Sequence, residues 1–597
     1  MRTVIAKLSC LLLLSSIAAF AADQATITYE ISLKDPASHY ATVRVSLPAG
    51  SSGRVQLPVW NATYQVRDFA RNISEIKAGD IEARAIDKST WQAAQANAST
   101  WTYRIYLADP GPFGAEVNEE HAFFNFAQLL IYPVGDEHKK ELITVRMTDV
   151  PANWKIVTPL PSVGGPDASG KTATYSLHAG SYDQLVDSPT ELGTFEEKDF
   201  DEGGKHYRVI VHGRSGDYDI ARMASECQRI VRAETDYMHE APYEQYTFIY
   251  HVNATGGGGM EHSYSTAIGL RPLRTEDAWK GFESVTAHEF FHLWNVKRIR
   301  PQTLEPVDYS KEQYTRELWF SEGVTSTVAA YTQVRAGFSD EAQFRDEMAR
   351  AIENFRQRPA HLWQSPQESS LDTWFDKYPY YSSPERSVSY YLSGELIGYL
   401  LDLEIRERSS GKKGLRDLFL DLNREFAHAG KYFSEEDLRR FSQALADGTD
   451  EKPFFAETDE GATDLPFEQL LPSVGWQLQH ETKQIADAGF DLARNFDQGV
   501  RVGRIRSQAV QGAGLRAGDE IVAIEGAPLS RDTMRKIAAM QPGGMLHVTV
   551  RRGGTPVELM LPLGSRQDTV YSIVDAPNVT AQQRARRAAW LRQEDQQ

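Results

Sequence analysis

Two histidines and a glutamate are spaced for metal chemistry in the segment His288–His292, which has the sequence HEFFH. Residues four apart lie on one face of a helix, so the imidazoles of His288 and His292 can reach a single zinc ion. Glu289 lies next to the first histidine and can take a proton from a water beside the metal. The spacing therefore predicts a hydrolytic metal site with Glu289 as its general base. The alternative is a pair of core histidines bonded to neighbouring side chains.

A catalytic zinc ion needs a third protein ligand, and Glu322 is the candidate. It lies in the run Leu318–Thr325, which is apolar enough to predict a second buried helix. A carboxylate in such a run is costly unless it is paired or bound to a metal. Glu317 is the rival, but helical spacing puts it on a different face. We therefore expect His288, His292 and Glu322 to hold one zinc ion per chain.

Length and composition limit the number of domains and the classes of partner that the chain can have. The chain has 597 residues, of which 41% are hydrophobic and 24% are charged, and its formal net charge is -18. This length predicts three or four domains with ordinary globular cores. The negative charge argues against non-specific binding to nucleic acid or to an anionic lipid surface. We therefore expect no nucleic-acid partner.

The first 21 residues have the features of a signal peptide. Arg2 and Lys7 precede an apolar run, and Ala19–Ala21 is a small-x-small cleavage site. An uncleaved anchor is the alternative, but no later segment approaches about 18 uninterrupted apolar residues, so we expect no stable membrane span in the mature chain. Cleavage removes Cys10 and leaves only Cys227, so no intramolecular disulfide can form. An exported chain without disulfides favours the bacterial periplasm, with full secretion as the alternative.

Patterning along the chain predicts a multidomain α+β protein. Residues 22–195 alternate between apolar and polar side chains, which indicates an antiparallel, sandwich-like β domain. Residues 196–465 begin with strand patterns and continue with helical periodicity, which indicates a small sheet joined to a helical lobe. Within them, residues 447–464 are acidic and rich in Gly, Thr and Asp, as in a linker or long loop. Short strands and tight turns return in residues 475–567, and residues 568–597 form a polar tail with a terminal helix.

The residues around the predicted metal site resemble a known family. The block His288–Pro301 (HEFFHLWNVKRIRP) and the block Tyr314–Gly323 (YTRELWFSEG) are similar to the glycyl aminopeptidase family of gluzincin metallopeptidases. The resemblance covers most of the chain from about residue 200 to 570. It implies a bacterial zinc peptidase with a thermolysin-like catalytic domain, followed by a PDZ domain.

That family is a distant relative of the alanyl aminopeptidases, which hold the free amine of the substrate on a Gly-x-Met-Glu-Asn strand. The matching stretch here is Gly258, Gly259, Met260 and Glu261, followed by His262 where the relatives have Asn. The resemblance implies that Glu261 pairs with a protonated α-amine, while the glycines let the substrate backbone approach a sheet edge. A flexible surface loop is the alternative for the glycine run of residues 256–259.

The resemblance also implies an oxyanion donor, Tyr391. In the distant relatives a tyrosine three residues before a glycine stabilises the tetrahedral oxyanion, and Tyr391 precedes Gly394 by three residues. A phenol beside the metal would stabilise charge that develops only in the transition state. Tyr390 is the alternative donor, and both tyrosines could instead belong to the core.

The segment of residues 512–526 (GAGLRAGDEIVAIEG) resembles the core of a PDZ domain of the bacterial protease type. Residues 530–540 are expected to form the groove helix, and residues 546–550 and 557–561 the closing strands. Residues 489–492 are a candidate loop for a peptide carboxylate. Such a domain binds a peptide C-terminus or an extended strand by adding it to a sheet edge. It could also be a packed structural appendage.

These features together predict a zinc-dependent aminopeptidase that acts on peptides with a free N-terminus. The resemblance implies a preference for Gly or Ala at that position. A zinc endopeptidase, with the PDZ domain recruiting substrate, would share every metal residue. A PDZ-based scaffold on an inactive peptidase is the other alternative, although the intact Glu289 argues against it.

Overall fold

The computed structural model describes residues 26–61, 68–136, 138, 140–254, 256–375, 384–495, 499–530 and 533–592. The predicted signal peptide lies outside these residues. The described residues up to Thr194, apart from the segment Gly111–Phe113, form one compact unit. That segment and the residues from Phe195 onward form a second unit.

The first unit consists mainly of strands, as the alternating sequence predicts. Within the strand Tyr40–Ser46 every second side chain is buried, so one face of the sheet covers the core. The elements are β1 (Thr26–Ser32), β2 (Tyr40–Ser46), β3 (Arg54–Gln56), β4 (Ile73–Ala78), β5 (Ile81–Glu82), β6 (Arg84–Ala85), β7 (Thr90–Gln92), β8 (Thr100–Tyr106), β9 (Glu116–Val117), β10 (His121–Phe124), β11 (Tyr132–Pro133), β12 (Leu142–Pro151), β13 (Lys155–Val157), β14 (Ser162–Pro166), β15 (Thr172–Ala179), α1 (Tyr182–Val186) and β16 (Thr190–Gly193).

Three sheets result from this pairing. The main sheet has the strand order β14-β15-β12-β1-β2-β8-β4-β5, and two smaller sheets have the orders β13-β16-β10-β9 and β11-β3-β7-β6. β1 pairs in parallel with β12, whereas the other pairs of the main sheet are antiparallel. The predicted β-rich domain is therefore confirmed, with one parallel pair inside a mainly antiparallel sheet.

The second unit begins with a small sheet and continues as a helical lobe. Its first elements are β17 (Glu196–Glu202), β18 (Lys205–Gly213), α2 (Ile220–Met238), β19 (Gln245–Val252), β20 (Gly259–Glu261), β21 (Ser265–Leu270), α3 (Glu276–Phe291), α4 (Thr325–Arg335), α5 (Glu341–Arg356), α6 (Pro366–Leu371), α7 (Tyr390–Arg408), α8 (Leu415–Leu422), α9 (Glu435–Leu445), α10 (Lys452–Thr458) and α11 (Phe467–Leu470).

The small sheet presents an edge to the helix that carries the HEFFH motif. Its order is β17-β18-β19-β21-β20, with β18, β19 and β21 parallel and β20 antiparallel to β21. α3 packs against β20, β21, α2 and α4. Its first turn is capped by Thr275, whose side chain accepts a hydrogen bond from the backbone N–H of Ala278, and two acidic residues follow the cap. This packing holds the motif between the edge strand and the helical lobe.

Residues 447–464 are part of the helical lobe, so the prediction of a linker or long loop was wrong. They contain α10, whose Phe455 is 1% exposed, and the side chain of Asp459 is fully buried. Asp459 Oδ2 accepts a hydrogen bond of 2.8 Å from Gln367 Nε2. The prediction relied on the acidic composition and overlooked two apolar residues, Phe454 and Phe455, which pack on the core of the lobe.

The C-terminal part has the strands and groove helix that the PDZ pattern predicts. Its elements are β22 (Trp476–Asp487), β23 (Phe490–Asn495), β24 (Gly499–Ile505), α12 (Gln508–Gly512), β25 (Glu520–Ile524), α13 (Thr533–Ala538), β26 (Met545–Arg552), β27 (Thr555–Pro562), β28 (Gly564–Asp575) and α14 (Ala581–Arg592). β23 to β27 form a five-stranded sheet with a hydrophobic core of its own. In the described residues the groove helix is α13, which is shorter than the expected 530–540.

β22 and β28 form a long antiparallel ribbon that joins this core to the helical lobe. At one end of the ribbon Trp476 and Ile573 belong to the core of the lobe, and at the other end Ala486 belongs to the PDZ core. β28 crosses the expected domain boundary at residue 567. α14 then buries Trp590 and Leu591 in the core of the lobe. Among the described helices, none is long and apolar enough to cross a membrane.

Candidate metal centre and active site

The structure brings the three expected metal ligands together. His288 lies in the last turn of α3, His292 caps its C-terminus, and Glu322 lies in a π-helical turn, Trp319–Val324, that leads into α4. His288 Nε2 is 3.0 Å from His292 Nε2 and 3.2 Å from Glu322 Oε2, and His292 Nε2 is 3.3 Å from the same oxygen. Ligand atoms placed tetrahedrally about 2.0–2.1 Å from zinc are themselves about 3.3 Å apart. The donor set and its spacing therefore fit a zinc ion.

The second nitrogen of each imidazole has a partner that orients the ring. His292 Nδ1 donates to the carbonyl oxygen of Asn295 at 2.6 Å. His288 Nδ1 lies 3.2 Å from Ser326 Oγ. Such partners fix the tautomer and leave the lone pair on Nε2 for a metal.

The electrostatics of the cluster favour a cation. Burial opposes a charge on His292, yet the carboxylates of Glu322 and Glu261 raise its pKa to about 10. Burial alone would raise the pKa of Glu322, but His292 and hydrogen bonds from both histidines hold that pKa below its ordinary value. The buried carboxylates therefore demand positive charge, which a divalent ion would supply.

Glu289 lies beside this cluster with a side chain that is almost fully enclosed. Burial and the nearby carboxylates of Glu261 and Glu322 raise the pKa of Glu289 well above its ordinary range. Within the described part of the chain, no hydrogen-bond donor reaches its Oε2. Buried carboxylate oxygens are rarely left without a partner, so this oxygen is available to a water or a substrate.

Gly259 lies directly against the carboxylate of Glu289. A Cβ at this position would be 2.4 Å from Glu289 Cδ and Oε1, closer than atoms in contact allow. The φ angle of Gly259 is not positive, so the glycine provides space and not an unusual backbone. Sequence reasoning gave Gly259 a role in the approach of substrate, and it did not predict this contact.

The expected amine-binding residues lie on the edge strand β20. Carboxylate oxygens of Glu261 and Glu289 and a ring nitrogen of His292 all lie within 4.8 Å of one another. Met260 lies on the opposite face of the strand and is buried. The carbonyl oxygen of Gly258 accepts a hydrogen bond from Gly269 N at 2.9 Å. The surface-loop alternative for residues 256–259 is therefore wrong at Gly259, which belongs to β20, whereas residues 256–258 lie outside a regular element.

Of the two candidate tyrosines, Tyr391 borders the metal ligands. Its ring centroid is 6.0 Å from that of His288, and the side chain is half-buried. Tyr390 stacks on Tyr391 with a centroid distance of 4.8 Å, is 2% exposed, and has its hydroxyl 3.3 Å from Thr373 Oγ1. Tyr390 is therefore a core residue, and Tyr391 faces the site.

The rival ligand Glu317 is engaged elsewhere. Its Oε2 accepts hydrogen bonds from Arg316 N at 3.0 Å and from the hydroxyls of Thr303 and Thr315. It does not belong to the cluster formed by His288, His292 and Glu322.

The PDZ loop that was expected to bind a peptide carboxylate binds the carboxylate of Asp487 from the chain itself. Gly489 N donates to Asp487 Oδ1 at 3.0 Å, and the same oxygen accepts from Arg506 Nη2 at 2.7 Å. Asp491 also pairs with Arg506. A peptide carboxylate would have to displace Asp487 from the loop amide.

Comparison with known families agrees with this architecture. The family model described as M61 glycyl aminopeptidase matches residues 281–397, which include the ligands and Tyr391, and the model of the M61 N-terminal domain matches residues 28–194. A PDZ domain model matches residues 472–563. The two M61 matches identify the catalytic region and the N-terminal domain of an M61 glycyl aminopeptidase in the chain. M61 enzymes are peptidases, and the histidine–carboxylate cluster is that of a metallopeptidase.

A solved structure shows the fold of this chain in another protein. An aminopeptidase N family protein from Idiomarina loihiensis is similar with 24% sequence identity and a TM-score of 0.76, over 95% of this chain and 100% of that chain. An M1 zinc metallopeptidase from Deinococcus radiodurans matches with 15% identity and a TM-score of 0.47, over 74% of this chain and 95% of that chain. No match was found among curated proteins.

Proposed function

We propose that this M61 protein is a zinc-dependent aminopeptidase with one zinc ion per chain, held by His288, His292 and Glu322. The observation that carries the proposal is the convergence of three ligand atoms within 3.0–3.3 Å of one another, beside two further carboxylates. A zinc ion bound there acts as a Lewis acid and lowers the pKa of a water molecule. The remaining steps belong to the residues of the chain.

Glu261 pairs with the protonated α-amine of the peptide and sets the scissile bond one residue away. Glu289 accepts a proton from the attacking water and then gives a proton to the leaving amine. The hydroxyl of Tyr391 donates a hydrogen bond to the carbonyl oxygen as negative charge develops on it. Substrates with Gly or Ala at the N-terminus are proposed from the resemblance to the glycyl aminopeptidase family. Export to the bacterial periplasm is proposed from the N-terminal sequence.

The first test uses a matched pair of substrates, a glycyl or alanyl amide and its N-acetylated form, each with and without a zinc chelator. We expect chelator-sensitive hydrolysis of the free amine only. Equal hydrolysis of both substrates would make the enzyme an endopeptidase and would remove the role of Glu261. Chelator-resistant hydrolysis would overturn the metal assignment.

Substitution Glu261→Gln tests the amine anchor directly. Loss of a half-buried charge partner should lower kcat/KM for the free-amine substrate on the order of 10²-fold, with zinc content unchanged. Glu283→Gln is the matched control, because Glu283 is a buried carboxylate on the helix that carries the two histidines but lies outside the cluster. A variant Glu261→Gln with wild-type kcat/KM would refute the anchor.

A further inference from the structure

We propose that Asn295 is a positioning residue that joins the two segments carrying the metal ligands. Two ligands come from α3 and the third from the π-helical turn Trp319–Val324, so their relative position depends on a contact between these segments. Asn295 lies three residues after His292 and is fully buried. The inference rests on the proposed zinc site and adds a residue that sequence reasoning did not single out.

One end of this connection is the backbone of Asn295. Its carbonyl oxygen accepts the N–H of His292 Nδ1 at 2.6 Å, which turns Nε2 of the same ring toward His288 and Glu322. A carbonyl partner of this kind sets the tautomer and raises the basicity of the coordinating nitrogen.

The other end is the side-chain amide of Asn295. Nδ2 donates to the carbonyl oxygens of Phe320 at 2.9 Å and Ser321 at 3.4 Å, the two residues before Glu322. It also donates to Thr325 Oγ1 at 3.1 Å, and that hydroxyl donates to the carbonyl oxygen of Ser321 at 2.8 Å. The amide therefore holds the backbone just before the third ligand and the Thr325 side chain just after the turn.

The consequence is mechanical. Without the amide of Asn295, the carbonyl oxygens of Phe320 and Ser321 each lose one donor, and the turn is held less firmly at the position that places Glu322 near the histidines. Aspartate has the same shape but no N–H, so it also places negative charge against two carbonyl oxygens. Both changes weaken the ligand cluster and leave the amine anchor on β20 intact.

The test measures zinc affinity of the full chain by competition with a chelating indicator, together with thermal unfolding of the zinc-free proteins. Asn295→Ala and Asn295→Asp should weaken zinc binding about 10- to 100-fold. Asn423→Ala is the control, since Asn423 is also buried, lies in another π-helical turn, and donates to Glu240 Oε1 at 2.7 Å outside the site. It should bind zinc like the wild type even where its zinc-free stability falls.

A spectroscopic measurement separates positioning from stability. In the cobalt-substituted protein, Asn295→Ala should shift the visible absorption bands that report ligand geometry, whereas Asn423→Ala should not. If Asn295→Ala does not fold, Thr325→Val is measured in its place. This variant removes one hydrogen-bond acceptor of the Asn295 amide and should give a smaller loss of zinc affinity. If these variants keep the wild-type zinc affinity and spectrum, the inference about Asn295 is overturned, while the proposed function is unaffected. Absence of zinc binding by the wild-type chain would instead overturn the proposed function, and with it this inference.

Discussion

At the scale of single residues, the site combines groups that must be charged with groups that must be small. Glu289, Glu261 and Glu322 put three carboxylates around two imidazoles in a buried place, and a cation is needed to balance them. Gly259 contributes through the side chain that it lacks, because the carboxylate of Glu289 occupies that space.

Substitution Gly259→Ala should therefore displace Glu289, the proposed general base. A Cβ would overlap the carboxylate of Glu289, and a shift of about 1 Å in a catalytic group can lower kcat on the order of 10²-fold. We expect kcat to fall while KM and zinc content stay near the wild-type values. Steady-state kinetics on the free-amine substrate measure this.

Gly257→Ala is the matched control for this change. A Cβ at Gly257 meets no atom within 4 Å, and its φ angle is not positive. It should retain the wild-type kcat. Equal kcat values for the two alanine variants would show that Gly259 does not position Glu289.

At the scale of elements, the π-helical turn and α7 cross at glycines, which brings Tyr391 beside the proposed metal ligands. A Cβ on Gly323, next to Glu322, would be 2.4 Å from the Cα of Gly394 on α7. A Cβ on Gly394 would be 2.0 Å from the carbonyl oxygen of Trp319. The crossing is close enough that only glycine fits at the contact, and it sets the distance between Tyr391 and Glu322.

Two glycine-to-alanine substitutions in helices should consequently change the free energy of unfolding in opposite directions. Gly394→Ala forces α7 away from the π-helical turn and should lower the free energy of unfolding by about 1–3 kcal/mol or more. Gly281→Ala, on an open face of α3, should raise it by up to about 1 kcal/mol, because alanine has the better helix propensity. Urea denaturation of both variants measures the difference. A stabilised Gly394→Ala would contradict the close crossing.

At the scale of the whole molecule, the C-terminal helix completes the core of the catalytic lobe. Trp590 on α14 is fully buried, and its Nε1 donates to the hydroxyl of Tyr331 on α4 at 2.7 Å. The Arg335 guanidinium donates to the carbonyl oxygens of Trp590 and Leu591. α4 follows directly from the turn that holds Glu322, so α14 supports the segment that carries a proposed metal ligand.

Trp590→Ala should lower the free energy of unfolding of the catalytic lobe by about 3–5 kcal/mol. The indole fills space between Tyr331, Phe344 and Trp476, and its removal leaves a cavity. Gln582→Ala, on the exposed face of the same helix, should change it by less than about 0.5 kcal/mol. Chemical denaturation is the measurement, and equal midpoints for the two variants would mean that α14 is only an appendage.

The sequence by itself determined the local chemistry. Spacing of four placed His288 and His292 on one helical face, because helical geometry depends only on neighbours along the chain. Alternating and helical periodicities predicted the β-rich unit, the helical lobe and the short strands of the C-terminal part for the same reason, and the structure confirms all three. Composition gave a wrong prediction for residues 447–464. The burial of Phe454 and Phe455 against the lobe holds this segment in place although most of its residues are polar or acidic.

Only the tertiary structure decided how distant segments meet. The contact of Gly259 with Glu289 joins residues thirty positions apart, and the hydrogen bonds of Asn295 to Phe320 and Ser321 span a similar distance in the chain. The burial of Trp590 against Tyr331 joins residues 259 positions apart. Periodicity carries no information about such pairs, because they depend on how whole elements pack and on which side chains are absent at the points of contact.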